Sequence, residues 1–362
     1  MWNTAHKHIQ NLVAYEPGKP IEDLAREMGM DPASIIKMAS NENALGPSPK
    51  AVAAMHAAID NAHIYPDGGG WELRGAIAEK FGLARGNIVL GNGSNEIIEF
   101  VGHAFLKPGD EIVVSRYSFA VYPLMAQLFG VTTVEVPDKD FGHDLPAMLA
   151  AITPKTRIVF ITNPNNPTGT FVTMEEIERF MAAVPDHVLV VFDEAYYEFV
   201  DNAPDTLRYV HEGRSVVVMR TFSKIQGLAG LRIGYAFAPE PLAELLQKTR
   251  QPFNANSIAQ AAAVTAIGDD EHITRTRKIT HEGIAFLQKE FERLGLAYVP
   301  SYANFVLVNV RDGDAVFRAL LKQGVIVRPM KSYRLPEWVR VTVGTPEQNQ
   351  RFLAALVDVM GL

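Results

Sequence analysis

The chain has 362 residues, 48% of them apolar and 21% charged, and a net charge of −7. That length exceeds one small core and predicts two domains, and the composition is that of an ordinary soluble globular protein. No cysteine is present, which excludes disulfides and thiolate metal sites, and no arginine- or lysine-rich block marks a nucleic-acid surface.

The N-terminal stretch MWNTAHKHIQNLVAYEPGK lacks the apolar core of a signal peptide, and no uninterrupted apolar run is long enough to span a bilayer. A cytoplasmic protein is expected. His6 and His8 have no further ligand cluster at a metal-binding spacing, so no metal is expected.

Seven short runs rich in Val, Ile and Phe follow: 87–91, 111–114, 132–136, 157–162, 188–193, 215–220 and 233–238. Their apolarity is nearly continuous rather than alternating, which fits strands covered on both faces. Amphipathic segments lie between most of them. One is NEIIEFVGHAFL; another is TMEEIERFMAAV, where Thr173 and Glu176 form a capping box. Strands alternating with helices predict an α/β layer fold with a largely parallel sheet. From about residue 240 the texture changes. A long helical stretch, PLAELLQKTRQ into SIAQAAAVTAIGDD, leads to the helix HEGIAFLQKEFERLG. The strand-like NFVLVNV, GVIVRPM and WVRVTVG then surround DAVFRALLKQG, a smaller α+β unit. The expected division is an N-terminal segment 1–44 packing with the small domain, a large domain 45–250 and a small domain 251–362.

In open parallel sheets ligands sit beyond the carboxyl ends of the strands, so the residues just after each run carry the information. After the first comes GNGSNEII, a glycine-rich turn opening a helix, where backbone amides of Gly93, Ser94 and Asn95 favour an anion. After the fourth comes NPNNPTGT, which presents amide side chains, Asn166 among them. The fifth ends on Asp193, a carboxylate that needs a cation or strong donors at a buried strand end, with Tyr196 three residues on. The sixth leads into TFSKIQGLAGLRIGY. Thr221, Ser223 and Arg232 suit a phosphate dianion, and Lys224 is a candidate nucleophile toward a carbonyl. A phosphate clamp, a carboxylate for a cationic nitrogen, polar groups for a ring oxygen and a lysine together match pyridoxal 5′-phosphate.

These residues carry a family resemblance. SNENALGPSP (40–49), YPDGG (65–69), GNGSNEII, NPNNPTG, DEAYYEF (193–199), TFSKIQGLAGLRIGY and WVRVTVGTPEQN (338–349) resemble the fold-type I pyridoxal-phosphate aminotransferases over nearly the whole chain. Within these the chain is similar to the histidinol-phosphate branch. The resemblance implies a mostly parallel seven-stranded sheet in the large domain. It implies that Lys224 bonds to the cofactor aldehyde and later moves a proton at the substrate carbon, and that Asp193 holds the pyridine nitrogen protonated. Asn166 and Tyr196 would meet the ring oxygen and Tyr117 would stack on the ring. Gly93, Ser94, Asn95, Thr221, Ser223 and Arg232 would hold the phosphate. Tyr65 would reach the phosphate of the neighbouring subunit's cofactor, making the active unit a homodimer. Arg340 and Arg328 would bind the substrate's carboxylate or phosphate, Tyr15 would close over it, and Phe253 stands where relatives often have tyrosine. The implied reaction is ping-pong transfer of an amino group from a small-molecule donor, histidinol phosphate, to a 2-oxo acid, 2-oxoglutarate. An aromatic amino-acid aminotransferase and a phosphothreonine-type decarboxylase share the same cofactor residues.

Overall fold

The computed structural model describes residues 4–12 and 18–362. Seven strands form its largest sheet: β1 (Ile88–Gly91), β2 (Glu111–Ser115), β3 (Thr132–Val136), β4 (Thr156–Thr162), β5 (Leu189–Asp193), β6 (Val216–Thr221) and β7 (Gly234–Phe237). Their order is β1-β7-β6-β5-β4-β2-β3, and only β7 runs against the rest. The unbroken apolarity has a direct cause. On β5, Val190 and Phe192 face one core and Val191 the other, so both faces are dry. Each such side chain contributes roughly 1.5–3 kcal/mol by leaving water.

The helix Met174–Ala183 begins at the Thr173–Glu176 capping box. The carbon ends of β4, β5 and β6 lie side by side, with Thr162 opposite Asp193 and Asp193 opposite Met219. That row of strand ends is what the site is built on.

A second, antiparallel sheet has four strands, β8 (Tyr298–Val299), β9 (Phe305–Asn309), β10 (Arg328–Pro329) and β11 (Trp338–Thr342), in the order β10-β11-β9-β8. Helices Asp270–Arg293, Gly313–Lys322 and Pro346–Met360 flank it. Near the N-terminus, Ile36–Lys37 pairs in parallel with Val325–Ile326, and Leu24, Ala25 and Ile35 pack on Leu321 and Ile326.

The helical stretch after residue 240 is two helices, not one. Glu240–Gln247 ends at Lys248, and Ser257–Ile267 starts from the Asn256 cap; between them Phe253 takes a left-handed backbone, φ 57°. The second helix is alanine-rich (Ala259, Ala262, Ala263, Ala266) and packs into the core of the seven-stranded unit. A division at 250/251 therefore falls ahead of a helix that shares the larger core.

Candidate active site

A cavity of about 400 Å³ opens over the carbon ends of β4, β5 and β6, between the two sheets. Lys224 enters it from the turn after β6, anchored by the fully buried Phe222 and Ile225 on either side of Ser223–Lys224. Its Nζ lies 3.3 Å from the Ser40 carbonyl and 5.6 Å from the Tyr196 ring centre. Burial, and next the charge of Arg340, lower its pKa from 10.5 to about 8. About one amine in ten is then neutral at pH 7, against fewer than one in a thousand for an ordinary lysine. A neutral amine is what attacks a carbonyl. The turn is drawn in by Gly227 (φ 72°), where a Cβ would stand 2.3 Å from the Gly46 carbonyl oxygen.

Asp193 closes the floor. Its Oδ2 accepts a hydrogen bond from Tyr122 Oη at 2.6 Å and its Oδ1 one from the Ala195 amide at 3.2 Å. Tyr122 Oη in turn accepts from Thr162 Oγ1 at 2.8 Å. Burial raises the Asp193 pKa, while the Tyr122 and Ala195 hydrogen bonds pull it back toward the charged form. Tyr196 lies beside it, with Asn41 Nδ2 donating to its Oη at 2.9 Å; burial pushes this phenol up to about 12.

One corner is built for an anion. The helix Ser94–Phe105 starts there behind Gly93, whose φ of 80° suits glycine. A Cβ at Gly93 would stand 2.3 Å from Arg232 Nη2, so its absence lets the guanidinium lie over the helix N-terminus. Ser94, Asn95, Thr221 and Ser223 complete the corner. One full positive charge, several hydroxyl donors and a helix dipole fit a phosphate group.

The opposite wall carries Arg340, whose Nη1 donates to Asn166 Oδ1 at 2.6 Å and Nη2 to the Ala39 carbonyl at 2.9 Å. Arg328 is its cross-strand partner, and both line the cavity. Phosphate corner, carboxylate and amine thus share one cavity with the donor set that pyridoxal 5′-phosphate requires, and the residues fit that group.

Two expected contacts, those of Tyr117 and Phe253, are not made within the chain. Tyr117 does not line the cavity: its ring stacks on Phe141 at 5.9 Å, in the apolar contact with Trp338 and Leu335 of the second sheet. Its backbone carbonyl accepts from Asn165 Nδ2 at 2.6 Å, which ties this turn to the loop after β4. Phe119 forms the aromatic wall instead, edge-on to Tyr122. Tyr65 and Phe253 also lie outside the cavity, 80% and 47% exposed and stacked on each other at 4.8 Å. Tyr15 lies outside the described residues. Sequence reasoning missed Phe119, Tyr122, Thr162, Asn41 and Tyr333. Phe119 and Tyr122 stand with Tyr117 in SRYSFAVY (115–122), but the segment is a turn running into a helix, so strand alternation does not say which aromatic points inward.

Among the described residues no helix is long and apolar enough to cross a membrane. The family model for aminotransferase class I and II matches residues 33–356. The chain is 54% identical to a histidinol-phosphate aminotransferase of Akkermansia muciniphila over 98% of each chain. It is 48% identical to histidinol-phosphate aminotransferase 2 of Pseudomonas aeruginosa, over 98% of this chain and 97% of that one. The solved histidinol-phosphate aminotransferase of Sinorhizobium meliloti, in complex with pyridoxal 5′-phosphate, superposes with a TM-score of 0.90 at 27% identity, over 100% of this chain and 98% of that one. The family model covers most of the chain and the relatives match nearly all of it: the chain belongs to the class I and II aminotransferases.

Proposed function

We propose that this protein is a pyridoxal-phosphate-dependent aminotransferase that moves an amino group between histidinol phosphate and 2-oxoglutarate, a step of histidine biosynthesis. The observation that carries the reading is one cavity holding a buried amine of lowered pKa, Lys224, together with the Asp193 carboxylate and the Arg232 anion corner. Pyridoxal 5′-phosphate, when bound, supplies an aldehyde and a ring that accepts electrons from the substrate carbon. Lys224 provides the amine for that aldehyde and carries the proton to and from the substrate carbon. Asp193 holds the ring nitrogen's proton. Tyr196 and Asn166 donate to the ring oxygen, Phe119 covers the ring in place of Tyr117, and Gly93, Ser94, Asn95, Thr221, Ser223 and Arg232 hold the phosphate.

Arg328 and Arg340 stand side by side on neighbouring strands and both line the cavity, two cations available to the substrate's anionic group. A phosphate ester or the second carboxylate of 2-oxoglutarate suits such a pair; the uncharged ring of phenylalanine does not. Tyr15 completes the substrate side in this reading, and Phe253, outside the cavity of its own chain, would serve the second subunit's site. The large apolar residues Tyr65, Phe253, Trp71, Ile59 and Ile64 are exposed on this chain, and a homodimer would cover them and bring Tyr65 to the second subunit's phosphate corner. The reading divides the chain into a large cofactor unit extending through Ser257–Ile267 and a small unit joined by the N-terminal segment, in an enzyme of the cytosol.

The test is a spectrophotometric half-reaction. The protein, loaded with pyridoxal phosphate, is mixed separately with histidinol phosphate, phenylalanine and phosphothreonine. Fastest conversion to the pyridoxamine form with histidinol phosphate is expected. Preference for phenylalanine would make it an aromatic aminotransferase, and carbon dioxide release from phosphothreonine alone would change the reaction class.

A further inference from the structure

Behind the cavity floor, on the face of the sheet turned away from it, lies a buried ion pair that no contact with a ligand explains. Glu194 follows Asp193 at the end of β5, and Arg220 precedes Thr221 at the end of β6. Arg220 Nε donates to Glu194 Oε2 at 2.9 Å and Nη2 reaches the same oxygen at 2.8 Å; Thr206 Oγ1 donates to Oε1. The side chains are 2% and 5% exposed. Aromatic rings pack around the guanidinium: Tyr197 at 3.6 Å, Phe81 at 4.7 Å and Phe237 at 5.2 Å. Neither residue lines the cavity.

A buried ion pair is a poor source of stability. Desolvating two charges costs about what their attraction returns, and well-packed apolar residues often serve as well or better. What such a pair supplies is a fixed geometry, because its two partners tolerate few separations and angles. Here it joins the ends of two neighbouring strands, Glu194 just past β5 and Arg220 next to last in β6. Asp193 and Thr221 point into the cavity; their chain neighbours Glu194 and Arg220 point away, and pair. The Glu194 amide also donates to the Met219 carbonyl at 2.8 Å, extending the ladder past the end of the strand. The spacing between the Asp193 carboxylate and the turn that bears Lys224 is thereby set from behind.

We infer that the Glu194–Arg220 pair is a positioning device, holding Asp193 and the Thr221–Lys224 turn in the register that a cofactor bridging them requires. The inference rests on the proposed function, since it assumes one ligand meets both Asp193 and Lys224. Such a ligand leaves little tolerance: an error of about one ångström in the placing of reacting groups costs on the order of a hundredfold in rate.

The experiment compares the wild-type holoenzyme with Arg220→Met/Glu194→Met, which replaces the pair by apolar side chains, and with Arg220→Lys, which keeps the charge and loses the planar fork. Four quantities are read: melting temperature without cofactor, the cofactor's dissociation constant by equilibrium dialysis, the pH midpoint of the bound cofactor's absorbance, and kcat with KM. Positioning predicts a double variant that melts close to the wild type yet holds the cofactor about tenfold more weakly, with a displaced midpoint and kcat lowered by about tenfold to a hundredfold. Arg220→Lys should fall between the two. A double variant matching the wild type in dissociation constant, midpoint and kcat overturns the inference. If the double variant does not fold, Arg220→Lys decides: wild-type values in a folded Lys variant overturn positioning, and a displaced midpoint with native circular dichroism supports it. A wild type that binds pyridoxal phosphate but transfers no amino group sinks the proposed function instead, and that outcome is visible before any variant is made.

Discussion

Tyr122 Oη donates to Asp193 Oδ2 at 2.6 Å while accepting from Thr162 Oγ1, so the carboxylate at the cavity floor is held by a chain of hydroxyls rather than by a cation. Burial disfavours the charge on Asp193, and this hydrogen bond is the largest influence opposing it. Tyr122→Phe removes the donor with little change in shape. A hydrogen bond to a charged group contributes about 1.5–3 kcal/mol, so pyridoxal phosphate should bind roughly tenfold or more weakly. Equilibrium dialysis measures this, and unchanged binding would show that the Ala195 amide alone is sufficient.

Lys224→Ala should abolish both the imine absorbance and turnover while leaving far-UV circular dichroism unchanged. Full turnover in that variant is incompatible with the proposed function.

The same lysine gives a pH prediction for the cofactor-free protein. Its folded pKa is about 8, below the ordinary 10.5, so between those values the unfolded chain binds more protons. Stability from this group therefore rises with pH through that window, and below about pH 8 its burial costs on the order of 3 kcal/mol. Lys224→Ala removes that cost along with some packing. The difference in unfolding free energy, variant minus wild type, should shrink as pH rises from about 8 to about 10.5. Denaturant titrations at a series of pH values measure it; a difference that grows with pH contradicts the burial of a strained ammonium.

Gly93→Ala places a Cβ against the Arg232 guanidinium at a backbone angle that alanine adopts reluctantly. Strain of about 1–3 kcal/mol and a displaced arginine should fall together on the anion corner. Weaker retention of pyridoxal phosphate than of pyridoxal, relative to wild type, separates a phosphate defect from general damage. Equal losses for the two would mean the corner is not where the phosphate sits.

The strands were legible because burial on both faces leaves unbroken Val and Ile runs, and the strand-end rule then pointed to Asp193, Lys224 and Asn166 without coordinates. Three things were not legible. Which aromatic of SRYSFAVY faces inward depends on a turn and on Phe141 and Trp338, far away in sequence. Tyr122 meets Asp193 across 71 residues, a pairing fixed by strand order rather than by any local pattern. The break before Ser257 rests on Phe253 in a left-handed conformation, which apolar periodicity does not encode. In each case the deciding contact is tertiary.

Tyr65 is 80% exposed and lies outside the cavity of its own chain, so a role at a phosphate corner requires it to act across a dimer. This can be decided by complementation. Tyr65→Ala and Lys224→Ala each lose activity when alone, the first in part, the second wholly. When the two are unfolded, mixed in equal amounts and refolded, half the dimers are mixed. In a mixed dimer one site has both defects and the other has neither, taking Lys224 from its own chain and the intact tyrosine from the partner. If Tyr65 acts in trans, the mixture should recover about a quarter of wild-type activity. If it acts in cis, no site in any dimer holds both intact residues, and activity stays at or below that of the Tyr65→Ala variant alone. The mixture distinguishes the two without a structure of the dimer, and a chain that stays monomeric through the cycle gives the cis result.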